Sequence, residues 1–573
     1  MNATQRLLSP VVQGPFFFAV TLLLSVPGIV YCCVAFPEIP LVRTILWSCY
    51  ITAFPAALAW LLAWKGNRVV KTLTYIVALT LFLVNMFLVL NFSTLVSPSI
   101  LLLCLETHAS EASEFIASYL FCAKSILAYA LTAGAVVTIV LLERRGKNIP
   151  LPRSKLGVLL LTAWFLVACV HTISMGYMLF CQTQEKLSIW YNGLGLYDTD
   201  DTLSNLIYSV HHLRLAGEEN GWAIETNRKA VAEEALCADS ADLDVVVVIG
   251  ESYNKHHSQL YGYHRDTTPC MARERDEGHL FVFTDVISPF NLTTAAMKNL
   301  LSTNSLSLAE NWADRPVFPV IFRQAGFSVA MWDNQKIMGN APFHDFAIGS
   351  FLYNDEVVAM AYDQCNSSVF PYDMQLVDSC LQARSEGHHR LTIFHLIGQH
   401  SQASKRYPHT ADYEVFRAAD AADAQQQAIA EYDNATFYND AVMESIFNNY
   451  RERNAVVIYF SDHGEEVYDY RPFAGRSHEQ QKHAQALKYQ YEIPFVVWCS
   501  EQYIESHPQQ SAALAASLHR PFMTDNLPHL LFSLASVVTP YYRAEKDLLS
   551  PSYVCGKRLV QVSNDYDAIM KTP

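Results

Sequence analysis

Two short segments that lie about 210 residues apart each place metal-type ligands directly after an apolar run. The first reads VVVVIGES and contains Glu251, and the second reads AVVIYFSDHGE and contains Asp462 and His463. Two carboxylates and one imidazole form a donor set that suits zinc or manganese. The residue types therefore predict a metal site shared by Glu251, Asp462 and His463. For the second segment taken alone, a carboxylate that only caps a loop is the structural alternative.

The apolar runs before these ligands have the composition of strands that are buried on both faces of a parallel sheet. Similar runs predict six strands, at 244–249, 280–284, 328–332, 391–396, 455–460 and 493–498, with helical patterns between them, as at 372–383 and 431–450. This alternation predicts an α/β domain with a largely parallel central sheet. In open α/β sheets the functional site lies beyond the carboxyl ends of the strands, so the two ligand segments would meet there.

A threonine pair between the two ligand segments could supply a nucleophile. Thr293 and Thr294 stand in the segment VISPFNLTTAAM, which has the pattern of a loop that enters a helix. A hydroxyl at a helix amino terminus gains from the helix dipole, and a zinc ion can lower its pKa enough for attack on phosphorus. The local sequence by itself favours a simpler interpretation, in which both threonines only cap the helix.

Five apolar segments in the first third of the chain are long enough to cross a bilayer, which takes about 20 residues. They lie near 14–36, 43–64, 69–92, 115–142 and 156–181. Lysine and arginine concentrate between segments two and three and between segments four and five, whereas the loop after segment three is acidic. The positive-inside rule then places the amino terminus inside and everything after residue 182 outside. We therefore expect a multi-pass protein of a bacterial inner membrane with its catalytic domain in the periplasm.

These features predict three parts of the chain. A transmembrane domain of five helices covers 1–181, an interfacial coupling region covers 182–240, and a catalytic domain covers 241–573. Aromatic residues of the coupling region, such as Trp190 and Tyr191, suit the lipid interface. An ordinary helical linker packed on the catalytic domain explains the same region equally well.

The net charge and the cysteine spacing exclude some classes of function. The net charge of −15 argues against a nucleic-acid partner. The 13 cysteines include no CxxC pair of the kind that binds zinc or performs redox chemistry. For an extracytoplasmic domain the candidate disulfide joins Cys365 to Cys380, and two unlinked thiols are the alternative.

Several motifs together resemble the phosphoethanolamine transferases that modify lipopolysaccharide, a family within the alkaline phosphatase-like superfamily. The matching segments are GES at 250–252, LYGYHRDTTP at 260–269, GQH at 398–400, KRYP at 405–408, SDHGE at 461–465 and IPFVVW at 493–498. With the five apolar segments, the resemblance covers essentially the whole chain. It implies an alkaline phosphatase-like fold and the transfer of phosphoethanolamine from phosphatidylethanolamine to lipopolysaccharide through a phosphorylated threonine.

The resemblance also implies roles for single residues. Glu251, Asp462 and His463 match the zinc ligands of the family. Thr293 matches the nucleophile, which also contacts the metal, and Thr294 remains the alternative. Zinc is the expected cofactor, and manganese is the alternative.

Further residues of this resemblance would contact the substrate. His400 would suit leaving-group protonation or phosphate binding, and His478, with His483 as second choice, would supply another histidine. Thr107 and Glu111 resemble a Thr-x-x-x-Glu element that holds the ethanolamine head, although an exposed helix face explains them as well. Lys336 could contact phosphate, but most single lysines have no such role. These candidates are His400, His478, His483, Thr107, Glu111 and Lys336.

Other proteins on the same scaffold are alternatives to this interpretation. A sulfatase would need a Cys-x-Pro-x-Arg or Ser-x-Pro-x-Arg motif for its modified nucleophile, and the segment Cys270-Met271-Ala272-Arg273 lacks the proline and the spacing. A phosphoglycerol transferase shares the threonine chemistry, although the YGYHRDTTP run favours phosphoethanolamine. An inactive membrane sensor with the same fold is disfavoured because the predicted ligands and Thr293 are all present.

The acceptor stays open between lipid A, the lipopolysaccharide core and another periplasmic glycan, with the sequence slightly nearer the core-modifying branch. If lipid A is the acceptor, the added amine would reduce the negative surface charge and weaken the binding of cationic peptides such as polymyxin. Both substrates would be lipids, so the membrane itself is a partner. We expect the protein to be a monomer.

Overall fold

The computed structural model describes a large part of the chain, in several ranges. These ranges are 23–35, 68–92, 95–96, 100–101, 119–145, scattered positions between 156 and 177, 202–335, 349, 351–383, 387–400, 402–420, 423–471, 474–476 and 483–571. The chain divides into two compact units, Met1–Gly217 and Glu218–Pro573. The division falls inside the region, 182–240, where the sequence predicts a link between the membrane and catalytic parts.

The described part of the first unit is helical. It contains α1 (Val26–Ala35), α2 (Arg68–Phe92), α3 (Ala123–Arg145) and the beginning of α4 (Thr202–Ala230). Two helices among the described residues are long and apolar enough to cross a bilayer, at Lys71–Phe92 and Ala123–Leu142, and they coincide with the third and fourth predicted spans. Helix α1 lies within the first predicted span. The second predicted span lies outside the described residues, and the fifth is described only at isolated positions.

The second unit is built on a seven-stranded sheet. Its strands are β2 (Leu243–Gly250), β3 (Leu280–Val282), β5 (Ser328–Asp333), β6 (Gln364–Cys365), β7 (His389–His395), β8 (Ala455–Ser461) and β9 (Phe495–Cys499), in the spatial order β3-β9-β8-β2-β7-β5-β6. The strands from β8 to β6 are parallel, and β9 is antiparallel to both of its neighbours. The largely parallel sheet and its six predicted strands are confirmed, and only the two-residue β6 was not predicted.

Short strand pairs and helices surround this sheet. The pairs are β1 (Leu236–Cys237) with β11 (Val537–Val538), β4 (Val286–Ile287) with β10 (Phe522–Met523), and β12 (Leu559–Val560) with β13 (Asn564–Asp565). The helices are α5 (Pro269–Asp276), α6 (Thr293–Leu301), α7 (Phe318–Gln324), α8 (Asp355–Ala361), α9 (Asp373–Gln382), α10 (Ala424–Tyr450), α11 (Ala484–Tyr491), α12 (Glu501–Ser506), α13 (Pro508–Ser517), α14 (Leu527–Leu534) and α15 (Tyr566–Met570). The predicted helices at 372–383 and 431–450 correspond to α9 and α10.

Apolar layers cover both faces of the sheet. Along β2, Val245, Val247 and Ile249 pack into one layer, and Val246 and Val248 pack into the other. Successive side chains of a strand point to opposite faces, so a strand covered on both sides must be apolar at every position. This burial explains the uninterrupted valine run that ends at the first ligand.

The predicted disulfide between Cys365 and Cys380 is wrong. Cys365 lies in β6 and packs against one apolar layer, whereas Cys380 lies in α9 and packs against the layer on the opposite face. Both residues are present as thiols. A disulfide requires the two Cα atoms to lie within about 7 Å, and the intervening sheet keeps these side chains on separate faces.

A buried ion pair joins α4 to α6, the helix that begins at Thr293. Lys298 Nζ lies 2.9 Å from Glu219 Oε2, and the two side chains are only 10% and 12% exposed. The same ammonium lies 5.0 Å from the centre of the Trp312 ring. The end of α4 that lies in the second unit therefore holds α6 in place by charge as well as by packing.

We expect Lys298→Ala to destabilise the catalytic unit by about 3 kcal/mol, because it leaves the Glu219 carboxylate buried without its partner. Thermal unfolding of the full chain in detergent measures the effect as a fall in melting temperature. Glu225→Gln is the matched control, since Glu225 forms an exposed pair with Arg228 on the same helix. Equal melting temperatures for Lys298→Ala and the control would contradict this account of the ion pair.

Candidate active site

The three predicted ligands lie side by side at the carboxyl ends of two neighbouring strands. Strands β2 and β8 are parallel, and their register pairs Gly250 with Ser461. Glu251 directly follows β2, and Asp462 and His463 directly follow β8. The Asp462 amide donates to the Gly250 carbonyl at 3.0 Å, which continues the ladder past the last strand residue. Pairing of the two strands thus brings together side chains that are far apart in the sequence.

The ligand atoms of these three residues form a compact, buried cluster. One donor atom from each residue lies within 4.8 Å of the others. His463 Nε2 is 3.4 Å from Glu251 Oε1 and 3.1 Å from Asp462 Oδ2. None of the three residues is more than 1% exposed. Their proximity would allow all three to contact one ion.

Hydrogen bonds orient each ligand. Ser252 Oγ donates to Glu251 Oε1 at 2.6 Å, and the amides of Ser252 and His463 donate to Asp462 Oδ1 at 3.2 and 2.7 Å. His463 Nδ1 lies 3.0 Å from the carbonyl oxygen of Gly464. Such outer partners fix the ring orientation of a ligating histidine, and here they turn Nε2 toward the carboxylates.

Two glycines of the sequence motifs are required by close backbone contacts. A Cβ atom at Gly398 would lie 2.8 Å from backbone atoms of Glu251, and the φ of Gly398 is +48°. A Cβ atom at Gly464 would lie 2.3 Å from the Tyr489 carbonyl oxygen. The glycines of the GQH and SDHGE motifs therefore let neighbouring loops approach the ligands closely.

The electrostatics of the cluster fit a divalent cation. Burial and the adjacent Glu251 carboxylate raise the pKa of Asp462 well above its usual range. Burial also raises the pKa of Glu251, but electrostatic interactions with His463, His400 and Arg476 and the Ser252 hydrogen bond outweigh it and lower that pKa. Burial and the Arg476 guanidinium lower the pKa of His463 to about 3, so its ring is neutral and has a lone pair to donate.

One oxygen of the cluster also lacks a hydrogen-bond partner. Asp462 Oδ2 is buried and accepts no hydrogen bond within the part of the chain that the structure describes. A buried carboxylate oxygen without a hydrogen bond is costly unless a cation compensates it. Two carboxylates, one of which carries this unsatisfied oxygen, and a neutral imidazole match the donor set that zinc prefers.

Thr293 lies against the ligands. It is the first residue of α6, and its Oγ1 donates to Glu251 Oε2 at 3.0 Å and lies 3.3 Å from His463 Nε2. The N-cap position belongs to Leu292, so the interpretation of the two threonines as helix caps is wrong. Thr294 Oγ1 is buried and makes no hydrogen bond to any described residue. Of the two candidate threonines, only Thr293 contacts the cluster in this structure.

His400 lies close enough to the cluster for the Glu251 carboxylate to affect its pKa. Burial lowers the pKa of His400, the Glu251 carboxylate opposes this shift, and Arg476 and Arg406 reinforce it. The ring is therefore neutral at pH 7 and carries one N–H that can donate a hydrogen bond. Its two arginine neighbours make this side of the cluster positively charged.

Arg476 is a site residue that the sequence analysis missed. Its Nη1 lies against the His463 ring and donates to the Asn291 carbonyl oxygen at 3.2 Å, two residues before Thr293. Its Nε lies 3.3 Å from Glu465 Oε2. No strand or helix pattern marks this arginine, because its position depends on the path of the loop after β8.

Gln335 is a second site residue that the sequence analysis missed. Its Nε2 donates to Glu251 Oε2 at 3.1 Å and to the Leu396 carbonyl oxygen at 2.7 Å. Gln335 follows the end of β5, and Leu396 follows the end of β7. The rule that places functional residues after the carboxyl ends of parallel strands could have found it.

Some predicted site residues cannot be placed. Thr107, Glu111, Lys336 and His478 lie outside the described residues. His483 is described and precedes α11, and it does not belong to the cluster of potential metal ligands found among the described residues.

A mainly parallel α/β sheet that gathers carboxylates, a histidine and a threonine hydroxyl at its strand ends has the architecture of a sulfatase-like domain. Residues 244–537 match the sequence model of the family described as Sulfatase, and this match covers just over half of the chain. The chain therefore belongs to the sulfatase family.

Similar proteins of known name extend the comparison beyond this domain. The chain is 26% identical over 477 residues to phosphoethanolamine transferase EptC of Escherichia coli strain K12, covering 80% of this chain and 78% of that protein. It is 24% identical over 480 residues to phosphoethanolamine transferase CptA of Salmonella typhimurium, with the same coverage. The integral membrane protein lipooligosaccharide phosphoethanolamine transferase A (EptA) from Neisseria meningitidis superimposes with a TM-score of 0.59 at 17% identity, covering 93% of this chain and 98% of that one. The last likeness shows that the fold is shared.

A match to the sulfatase family does not by itself establish sulfatase activity. Cys270, whose segment lacks the proline of a sulfatase motif, lies in α5, where its amide donates to Asp440 Oδ2 at 2.7 Å. The hydroxyl that contacts the ligand cluster belongs to Thr293 instead. The hydroxyl beside the ligand cluster is therefore that of a threonine.

Proposed function

We propose that this protein transfers phosphoethanolamine from phosphatidylethanolamine to lipopolysaccharide, with Thr293 as the nucleophile. The observation that carries the proposal is the contact of the Thr293 hydroxyl with both Glu251 and His463 inside the buried cluster. The names of EptC, CptA and EptA support the same chemistry. The threonine is thus the group that holds phosphoethanolamine between donor and acceptor.

Glu251, Asp462 and His463, together with the Thr293 oxygen, would hold a zinc ion, and manganese suits the same oxygens and nitrogen. When bound, the ion supplies Lewis-acid chemistry that lowers the pKa of a nearby hydroxyl and neutralises charge on phosphoryl oxygens. Glu251 keeps the hydroxyl of Thr293 in place through its Oε2 atom. The same carboxylate oxygen accepts a hydrogen bond from Gln335. Residues from the ends of β2 and β5 and from the start of α6 therefore meet at this oxygen.

The reaction has two displacement steps. In the first, Thr293 Oγ forms a bond to phosphorus while the bond from phosphorus to the diacylglycerol oxygen breaks. Thr293 gives up one proton and the diacylglycerol oxygen gains one. In the second, an oxygen of the acceptor bonds to phosphorus, the bond to Thr293 breaks, and a proton returns to the threonine. Holding both substrates at one bilayer surface would raise the effective concentration of each.

Positive and neutral donors beside Thr293 would bind the phosphoryl oxygens. Arg476 is anchored by Glu465 and reaches the Asn291 carbonyl next to the nucleophile. His400 adds a neutral ring whose N–H can donate, which favours phosphate binding over leaving-group protonation as its role. Fixed donors of this kind stabilise charge that develops in the transition state.

We expect Arg476→Ala to lower kcat roughly a hundredfold, because the phosphoryl group loses a charged donor. Arg476→Lys should recover part of the loss, since it keeps the charge but not the planar pair of donors. Headgroup-release assays with phosphatidylethanolamine vesicles measure the effect. Arg273→Ala is the control, because Arg273 pairs with Glu444 on an exposed surface. A wild-type kcat for Arg476→Ala would remove Arg476 from the mechanism.

The proposal includes a place in the cell. We infer five membrane spans, a periplasmic catalytic domain and a bacterial inner-membrane location, because the two described apolar helices coincide with two of the predicted spans. Thr107 and Glu111 would hold the ethanolamine head, and Lys336 and His478 would contact phosphate. We expect the protein to act as a monomer.

The experiment that tests this function is mass spectrometry of lipopolysaccharide, split into lipid A and core, from cells that express the wild type or Asp462→Asn. A gain of one phosphoethanolamine in one fraction, absent in the variant, would support the reaction and identify the acceptor. A gain in lipid A would also predict reduced polymyxin sensitivity. No gain in either fraction would contradict the proposal and direct the search to phosphoglycerol transfer or to other periplasmic glycans.

A further inference from the structure

The motif LYGYHRDTTP at 260–269 does not contribute a ligand to the cluster, so its role needs another explanation. Tyr263 donates its hydroxyl to Asp433 Oδ2 at 2.9 Å, and Arg265 Nη1 donates to the same oxygen at 2.7 Å. Asp433 belongs to the long helix α10 and is fully buried. The motif thus supplies two donors that fix one carboxylate in the interior of the domain.

His257 uses the other oxygen of that carboxylate. His257 Nδ1 lies 2.7 Å from Asp433 Oδ1, and its Nε2 lies 3.4 Å from Asp469 Oδ1. The residue is only 4% exposed. A ring that faces a carboxylate at each nitrogen is satisfied only when both nitrogens carry a proton. Burial opposes this charge, but the two carboxylates prevail and raise the pKa of His257 to about 9.

Asp469 lies in the loop that follows Asp462 and His463. Its Oδ2 accepts hydrogen bonds from the Val467 amide at 2.9 Å and from Asn254 Nδ2 at 3.0 Å. Asn254 and His257 both belong to the segment that follows Glu251. Asp469 therefore links the loop that follows Asp462 and His463 to the segment that follows Glu251.

A tyrosine of α10 completes the connection. The Tyr432 hydroxyl donates to the Ser252 carbonyl oxygen at 2.6 Å and accepts from the Asn254 amide at 2.7 Å. Tyr432 directly precedes Asp433, so the same turn of α10 holds both ends of the segment 252–257. His257 thus bridges Asp433, which belongs to helix α10, and Asp469.

We propose that His257 is a positioning residue that locks the loop carrying Asp462 and His463 to the segment carrying Glu251, and so sets the spacing of the three metal ligands. The inference rests on the metal site of the proposed function. Asp433 anchors the imidazolium, and Asp469 transmits its position to the ligand loop. The motif at 260–269 acts through Asp433, which explains why it lies outside the ligand cluster.

The test is the zinc affinity of the full chain in detergent, measured by competition with a chelator, for His257→Gln, Asp469→Asn and the double variant. Loss of a partner outside the ligand shell typically weakens metal binding about 10–100-fold, so each single variant should bind zinc about tenfold more weakly. The double variant should bind no more weakly than either single one, because both changes break the same link. The kcat for phosphatidylethanolamine should fall with little change in KM.

His529→Gln is the matched control. His529 is a fully buried histidine whose Nδ1 accepts a hydrogen bond from the Arg543 amide, and among the described residues it has no hydrogen bond to the ligand segments. This variant should lower the melting temperature without changing zinc affinity. Asp469→Asn is the milder change, and it keeps the test decisive if His257→Gln does not fold.

Two results would overturn the inference. One is an unchanged zinc affinity in Asp469→Asn and His257→Gln, and the other is an equal loss of affinity in His529→Gln. Failure of the proposed function is separate, because it would appear as zinc binding by the wild type without headgroup transfer.

Discussion

Replacing Thr293 by alanine is expected to abolish phosphoethanolamine transfer, with kcat lower by at least about a thousandfold. The reason is that the only hydroxyl hydrogen-bonded to Glu251 Oε2 among the described residues belongs to Thr293. Without it, that carboxylate oxygen has no hydroxyl among the described residues to take phosphoethanolamine from the donor lipid. Transfer of the headgroup from phosphatidylethanolamine vesicles to purified lipopolysaccharide measures the loss.

Thr294→Ala is the matched control for this prediction. The two threonines are adjacent in α6, but the Thr294 hydroxyl is buried and lacks a hydrogen-bond partner in the described part of the chain. Its removal should leave kcat close to the wild-type value. Full activity of Thr293→Ala together with inactivity of Thr294→Ala would show that the nucleophile has been assigned to the wrong residue.

Loss of a metal ligand has the second of the two largest expected effects. Glu251→Gln should bind zinc more weakly by more than the roughly 10–100-fold that partners outside the ligand shell contribute, because it removes an ionic donor directly. It also weakens the hold on Thr293, since Glu251 Oε2 accepts a hydrogen bond from the Thr293 hydroxyl. We therefore expect the loss of both zinc and activity. Elemental analysis of the purified full chain gives the zinc content.

A second buried glutamate separates this effect from simple destabilisation. Glu274 is 1% exposed and accepts a hydrogen bond from Trp498 Nε1 at 2.8 Å, away from the cluster. Glu274→Gln should lower the melting temperature but leave the zinc content unchanged. Treatment of the wild type with a chelator should abolish transfer and lower its melting temperature, because an ion that binds only the folded state stabilises that state. Full activity after chelation would contradict a metal-dependent reaction.

The central part of the fold was predictable because burial leaves a clear mark on sequence. Strands β2 and β8 are covered on both faces, so the runs 245–249 and 455–460 are apolar without interruption, and each strand ends one residue after its run. The proximity of Glu251 and Asp462 followed from the position of their strands alone. Strand β6 has only two residues and left no pattern that could be recognised.

Other parts of the site depend on contacts that no local pattern records. Arg476 lies at the cluster because of the path of a loop. The residues around it in the sequence do not indicate that it, rather than His478, would contact the cluster. The choice between Thr293 and Thr294 required the start of α6 to be known to a single residue, and sequence patterns define helix ends less closely than that. The disulfide prediction failed because the sequence does not show on which face of the sheet a cysteine lies.

The measurement that tests the account most directly is peptide mapping of the full chain after incubation with phosphatidylethanolamine vesicles in the absence of an acceptor. Quenching in acid and digestion should yield the peptide that contains Thr293 with the added mass of one phosphoethanolamine. Asp462→Asn should yield the same peptide without the addition. Release of diacylglycerol with no labelled peptide, or with the label on another residue, would contradict a transfer that passes through Thr293.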